Sequence, residues 1–126
     1  MKDVIFRAYD IRGRYPEELG ADDIRKIAGA LQTHFGKGKI VLGHDGRKSS
    51  PTLYRTLCSC FKASQKIEAG LITTPMLYFL VEDLKTAGGI TITASHNPKN
   101  INGLKVVGRD AVPISGLEIK KMLHSL

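Results

Sequence analysis

Strand-forming and helix-forming stretches alternate along this 126-residue chain, and this alternation limits its possible folds more than any other feature. Residues 39–43, 66–72 and 89–94 are short runs of strand-forming residues that end at turn-forming ones. Patterns of helical period separate them. Strands that alternate with helices favour an α/β domain in which most strands run parallel. The length predicts a single domain.

The best-defined helix is predicted over residues 21–35, where apolar side chains recur with a period near 3.6 residues. These are Ile24, Ile27, Ala28, Leu31 and Phe35. Asp22 and Asp23 in the first turn suit the positive end of the helix dipole, and Gly36 provides a stop.

Two further helices are predicted to begin at a hydroxyl residue followed by proline. In the first, Ser50 is expected to be the N-cap and Pro51 the first helical residue. Its predicted inner face is Leu53, Leu57, Cys60, Phe61 and Ser64. In the second, Thr74 and Pro75 repeat this opening, and the residues that follow are apolar nearly all round, which predicts a well-covered helix. Residues 115–126 predict a fourth helix.

The last two strands are predicted to be antiparallel. Only a short polar loop joins the runs 89–94 and 104–108, and it is too short for a helical crossover. The sheet is therefore expected to be mixed and four-stranded, mostly parallel with its last strand antiparallel. Ahead of it, the run 4–9 is β-prone and passes into a predicted loop, 10–16, that carries two arginines.

The polar loop between the last two strands contains the candidate reactive residue, Ser95. A hydrolase nucleophile would be expected in a Gly-x-Ser-x-Gly turn before a helix, whereas Ser95 lies between Ala94 and His96 and precedes a strand. A hydroxyl that accepts a phosphoryl group suits the basic and amide-rich neighbours better. A loop whose Ser and Asn side chains only bond their own backbone is the alternative.

Composition leaves two kinds of partner open. Lys and Arg number 19 against 12 Asp and Glu, a net charge of +7, which suits a phosphosugar or a nucleic acid. The basic residues are dispersed and only 6% of residues are aromatic, which disfavours nucleic acid. No apolar run reaches the length of a membrane span, and the start of the chain lacks a signal peptide, so we expect a cytoplasmic protein.

The cysteines predict neither a disulfide nor a metal site. Cys58 and Cys60 are two residues apart and form no Cys-x-x-Cys motif, and the four histidines are scattered. Both cysteines are expected to be reduced helix residues.

Three motifs identify the chain as resembling the α-D-phosphohexomutases. Residues 93–98 read Thr-Ala-Ser-His-Asn-Pro and continue through Asn-Gly-Leu-Lys at 102–105, which resembles the phosphoserine loop of that family. The segment 6–13 resembles the family's N-terminal signature, and residues 43–51 resemble its second loop. The motifs occur in the family's order and cover the chain from end to end.

The resemblance implies a three-layer α/β/α first domain of a phosphomannomutase/phosphoglucomutase, spanning residues 1–126. Its activity would move a phosphoryl group between the 1- and 6-positions of a hexose through a 1,6-bisphosphate. Ser95 would carry the phosphoryl group, Lys105 and Arg12 would stabilise its charge, and His96 would be a candidate acid or base.

The remaining predicted site residues are assigned to phosphate binding or loop support: Tyr9, Arg47, Asn97 and Asn102. Asn102 with Gly103 is expected to support the turn back into the last strand, and Asp45 to orient Arg47 through an ion pair. Two positions depart from the family pattern, which often has arginine at His44 and an aromatic residue at Ile101.

The resemblance also implies Mg²⁺, bound by an Asp-rich loop of a second domain together with the phosphate on Ser95, and hexose 1,6-bisphosphate as activator. Asp10, Asp45, Asp83 and Asp110 are dispersed and reproduce no such loop. The chain alone is therefore expected to be catalytically incomplete and to need the enzyme's remaining domains. The apolar surface that the missing domains leave exposed is expected to make it dimerise or lose solubility. A stand-alone phosphosugar-binding module is the alternative.

Overall fold

The structure, a computed structural model, describes residues 3–125, so Met1, Lys2 and Leu126 lie outside it. Its strands are β1 (Ile11–Arg14), β2 (Ile40–His44), β3 (Lys66–Leu71), β4 (Gly88–Ile92), β5 (Ile101–Val107) and β6 (Pro113–Ile114). Its helices are α1 (Ala21–Phe35), α2 (Ser50–Ser59), α3 (Thr74–Asp83) and α4 (Gly116–His124), with short 3-10 turns at Asp3–Ile5 and Arg109–Ala111.

The strands form one mixed sheet in the order β1-β5-β4-β2-β3, and β6 also pairs with β5. β2 is parallel to β3 and β4, whereas β5 is antiparallel to β4, β1 and β6. The α/β class and the antiparallel last pair are confirmed. The sheet has six strands rather than four, because the short strands β1 and β6 both pair with β5.

The first strand forms further along the chain than predicted. The β-prone run 4–9 forms a 3-10 turn and a single bridge from Phe6 to Ile11, whereas the predicted loop contributes β1. Ile11 is fully buried in that strand. Local propensity misses it because β1 is stabilised by pairing with β5, whose partner residues lie about ninety positions along the chain.

Helices cover both faces of the sheet and complete three layers. α1, α2 and α4 pack their apolar sides onto one face in the larger core, which includes Leu31, Leu57 and Ile119. α3 packs on the opposite face, where Leu77 and Val81 contact Val41 and Val107. Along the strands, alternate residues enter the two cores, as the two-residue period of a strand requires.

The helix predictions hold for α1, whose bounds match, and need correction in α2. Its N-cap is Ser49 rather than Ser50, and it makes no side-chain capping bond. Cys58 is buried in place of Cys60, while Ser64 is exposed beyond the end of the helix. Both cysteines are free thiols. Within residues 3–125, none of the helices has both the length and the apolar character that crossing a membrane requires.

α3 begins one residue earlier than predicted and is not well covered. Thr73 is its N-cap and accepts a hydrogen bond from the Met76 amide, at 3.2 Å. Only Leu77 and Val81 are buried, whereas Phe79 is 59% exposed and Met76 is 47% exposed. One layer of helix covers this face of the sheet, so among residues 3–125 no further element packs over the outer side of α3, where Met76 and Phe79 lie exposed.

Candidate active site

Ser95 lies at the carboxyl end of β4 in an exposed loop and has left-handed backbone geometry. Its φ is 55°, which is uncommon for a residue other than glycine. Its amide donates a hydrogen bond to the Thr93 hydroxyl, at 3.2 Å. Ser95 and the following His96 are both exposed. Strained backbone of this kind is concentrated at functional sites, so the geometry marks Ser95 as a candidate reactive residue.

Arg47 holds this loop through four backbone carbonyls, a set of contacts that we call the carbonyl clamp. Its Nη1 donates to the carbonyls of Pro98 and Ile101, at 2.7 and 3.1 Å. Its Nη2 donates to those of Ser95 and Asn97, at 2.9 and 2.6 Å. Of the two roles predicted for Arg47, these contacts are those of loop support.

Asp45 connects Arg47 to two other segments. One carboxylate oxygen accepts hydrogen bonds from the Arg47 amide, at 3.1 Å, and from the Ser50 hydroxyl. The other accepts from the Ala94 amide, at 3.4 Å, and lies 3.5 Å from Arg47 Nε. The predicted ion pair is confirmed, although Nε is buried without a hydrogen bond to the carboxylate.

The two predicted asparagines also hold the loop. Asn97 donates from its side chain to the Ala94 carbonyl, at 2.7 Å. Asn102 is fully buried and donates to the hydroxyls of Ser49 and Ser50, at 2.7 and 3.0 Å. It lies inside β5 rather than at a turn, which corrects the prediction for Asn102 and Gly103.

A cation-lined cleft of about 330 Å³ lies over β1, β5 and the segment before β1, and its lining is Arg7, Tyr9, Asp10, Arg12 and Lys105. Arg12 pairs with Gly103 across β1 and β5, so Arg12 and Lys105 share a face of the sheet. Gly103 accepts a hydrogen bond from the Thr93 amide, at 2.9 Å, which places the cleft beside the strand that leads to Ser95.

One carboxylate faces the three cations of this cleft. Asp10 is 5% exposed and accepts a hydrogen bond from Arg12 Nε, at 2.8 Å, which orients the guanidinium. Tyr9 stands on the rim with 85% of its surface exposed. A second cavity of about 380 Å³ shares Tyr9 and Lys105 with the cleft. The excess of positive charge suits an anionic ligand.

His44, one of the two departures from the family pattern, contacts Asp45 and Tyr54. Its Nδ1 lies 2.7 Å from the Asp45 carbonyl, and its ring packs 4.7 Å from the Tyr54 ring, centre to centre. Sequence reasoning missed the site roles of Ser49, Ser50 and Asp10. For the two serines the only local signal was a serine pair that is also typical of a helix cap, and for Asp10 it was its place two residues before Arg12.

The described residues do not form a magnesium site by themselves. Across residues 3–125, no group of three or more His, Cys, Asp or Glu side chains could hold a metal. The two carboxylates nearest the loop and cleft are already bound, Asp10 to Arg12 and Asp45 to Ser50, Ala94 and Arg47.

The fold and site define a three-layer α/β/α domain with a serine loop at its strand ends, and comparisons with known proteins agree. The family profile for phosphoglucomutase/phosphomannomutase, α/β/α domain I, matches residues 3–125. The phosphohexose mutases of Xanthomonas campestris are 48% identical over 87% of this chain, and a phosphomannomutase of Escherichia coli is 42% identical over 88% of it. The chain spans 25% of the length of each.

A solved structure supports the same assignment. A phosphoglucomutase/phosphomannomutase family protein from Burkholderia thailandensis superposes with a TM-score of 0.82 at 30% identity. The match covers 99% of this chain and 30% of that one. The chain therefore belongs to the phosphoglucomutase/phosphomannomutase family, in which it corresponds to domain I.

Proposed function

We propose that this chain is the serine-bearing domain of an intramolecular phosphotransferase that interconverts hexose 1-phosphate and hexose 6-phosphate. The observation that carries the proposal is an exposed Ser95 in a left-handed conformation, in a loop that leads directly into β5, the strand that contributes Lys105 to a cleft with three cations. Phosphoryl transfer depends mainly on positioning and on stabilising negative charge. The loop would position the phosphoryl group, and the cations of the cleft would stabilise its negative charge.

In the proposed reaction Ser95 begins as a phosphoserine. A free hydroxyl of the bound hexose phosphate attacks the phosphorus, the bond from phosphorus to Ser95 Oγ breaks, and the sugar becomes a 1,6-bisphosphate. The hydroxyl proton leaves to a base, for which His96 is the candidate, and Ser95 Oγ takes up a proton as it departs, which regenerates the serine hydroxyl. The bisphosphate then returns its other phosphoryl group to Ser95. Arg12 and Lys105 stabilise the charge that develops.

The proposal assigns Mg²⁺ to the complete enzyme. The metal would neutralise phosphate charge, held by the phosphoserine oxygens of this chain and by carboxylates of further domains. Hexose 1,6-bisphosphate would activate the enzyme by phosphorylating Ser95. Hexose phosphates are the proposed partners and the cytoplasm is the proposed location.

Turnover tests the proposal directly. The 126-residue chain, folded by circular dichroism, should show no mutase activity with Mg²⁺, glucose or mannose 1-phosphate and a trace of glucose 1,6-bisphosphate. The enzyme with its downstream domains should turn over and should lose activity in Ser95→Ala. Turnover by the chain alone would disprove its incompleteness. Sugar-phosphate binding without phosphorylation of Ser95 in either form would favour the stand-alone binding module.

Within the active enzyme, Lys105→Gln should lower kcat about 100-fold, because it removes a cation from the developing phosphate charge. Lys26→Gln is the matched control, since it removes the same charge from the exposed face of α1. Equal activity of the two variants would exclude Lys105 from the reaction.

A further inference from the structure

We propose that Asp45 and Arg47 are a positioning pair that sets the reactivity of Ser95 without touching the phosphoryl group. The inference rests on the proposed function for its kinetic consequence, although its structural part stands independently. Asp45 and Arg47 would then affect the reaction itself and would not only connect their own loop to the Ser95 loop.

The contacts lie on both sides of Ser95. On one side, Asp45 accepts a hydrogen bond from the amide of Ala94, the residue that precedes Ser95, at 3.4 Å. Arg47 donates to the carbonyl of Ser95 itself, at 2.9 Å, and to those of three following loop residues. The backbone of Ser95 is therefore held from both directions by two side chains that also bind each other.

The carbonyl clamp has an electrostatic consequence for a phosphorylated Ser95. A phosphoserine carries between one and two negative charges at neutral pH, and a carbonyl oxygen facing it would repel it. Four carbonyl oxygens of the loop instead face one guanidinium. The clamp thus places a positive charge against the negative ends of these peptide dipoles, which offsets their repulsion of a phosphate on Ser95.

The pair is also shielded and anchored, as a positioning device requires. The side chains of Arg47 and Asp45 are only 15% and 23% exposed. Asp45 is bound by Ser50, which in turn accepts a hydrogen bond from the fully buried Asn102, at 3.0 Å. The chain of contacts therefore runs from the core of the sheet to the serine loop.

Lysine cannot replace Arg47 in this role. A guanidinium presents donors in a rigid planar fork, whereas an ammonium is a compact point charge on a flexible stem. Arg47→Lys keeps the charge but loses the fork, so it separates positioning from simple charge stabilisation. Arg55→Lys is the matched control, because Arg55 is an exposed arginine of α2 whose only described contact is a 3.4 Å bond to Thr52.

The first measurement is amide hydrogen exchange on the unphosphorylated 126-residue chain. In Arg47→Lys the hydrogen-bonded amides of Ser95, Asn97 and Ile101 should exchange at least about tenfold faster, while α1 and the melting temperature stay near wild type. Arg55→Lys should match wild type throughout. Unchanged exchange in the loop would overturn the clamp, whether or not the enzyme proves to be a mutase.

The second measurement is steady-state kinetics on the enzyme with all its domains, after loss of turnover in Ser95→Ala has established the proposed function. Arg47→Lys should lower kcat about 100-fold and leave KM within about threefold, because small misplacement of a reacting group has that effect. Asp45→Asn should lower kcat as well, and the double variant should fall less than the product of the two.

Two results would contradict the kinetic part. A rise in KM with unchanged kcat would mean that Arg47 binds substrate, and fully multiplicative effects would mean that the residues act separately. If wild type showed no turnover, the proposed function and the kinetic role would both fail, while the exchange experiment would still decide the clamp.

Discussion

Asn102 shows how one buried side chain connects the serine loop to the core. It is fully buried inside β5, and its amide group bonds two serine hydroxyls and the Gly103 amide. A buried polar group that loses its partners costs the full penalty of leaving water. The site therefore depends on a residue that no ligand is expected to touch.

Asn102→Ala should lower the free energy of unfolding by about 2–3 kcal/mol, because it leaves the buried Gly103 amide without its acceptor and removes the donor to both serine hydroxyls. Chemical denaturation of the 126-residue chain measures this. Asn100→Ala is the control, since Asn100 lies exposed in the same loop and its described bond uses only its backbone carbonyl. Equal losses in the two variants would refute the assignment.

At the scale of elements, the register of β2 against β3 shifts once, and the Tyr54 hydroxyl bonds backbone groups at that point. The register shifts between Leu42 and Gly43, opposite Gly70, whose φ is 71°. The Tyr54 hydroxyl donates to the Leu42 carbonyl, at 3.3 Å, and accepts from the Gly70 amide, at 3.1 Å. A side chain of α2 thus satisfies backbone groups that the shifted strands leave apart.

Tyr54→Phe should cost about 1–2 kcal/mol of stability at neutral pH, because both backbone groups lose their partner. Burial raises the pKa of Tyr54 from 10.0 to about 12. The folded chain therefore holds the phenol proton more tightly than the unfolded chain. The resulting stabilisation is complete below pH 10 and is lost as the pH rises from 10 towards 12.

Denaturation of wild type and Tyr54→Phe between pH 8 and 12 tests both statements. The difference between the two curves should shrink above pH 10, while Cys58, whose pKa is also raised by burial, contributes to both proteins. Tyr9→Phe, altered at an 85% exposed position, should follow wild type. A constant difference across this range would rule out the titration of Tyr54 as its source.

At the scale of the whole molecule, α3 buries one apolar side on the sheet and exposes apolar residues on its other side. Leu77 and Val81 are fully buried on the sheet, while Phe79, Met76 and the preceding Leu71 are exposed. Contiguous exposed apolar side chains favour association. This surface is where we expect the isolated domain to dimerise.

Two substitutions in α3 should therefore have different effects, one on stability and the other on self-association. Leu77→Ala should lower the free energy of unfolding by about 2–5 kcal/mol, since it opens a cavity against the sheet. Phe79→Ser should change it by less than about 0.5 kcal/mol and should reduce self-association in sedimentation measurements at increasing concentration. Unchanged sedimentation in Phe79→Ser would place any dimer interface elsewhere.

Local patterns in the sequence were sufficient for several features of this protein. The period of Ile24, Ile27 and Leu31 predicts α1 with its observed bounds, because helix hydrogen bonds join residues four apart. The short loop around Ser95 requires antiparallel β4 and β5. The motif at residues 93–98 identified the family and the candidate serine before any contact was known.

Only the tertiary structure decided how that serine is held. Parallel pairing of β2 with β4 sets His44 beside Ile92, so the loops that follow these strands lie together and the Asp45 amide bonds the Ile92 carbonyl, at 2.9 Å. The bonds of Arg47 to the serine loop then span 48 to 54 residues. Pairing with β5 likewise makes 11–14 a strand, and the packing of α3 on the sheet leaves Met76 and Phe79 exposed. Such contacts depend on which strands become neighbours, and local residue preferences do not contain that information.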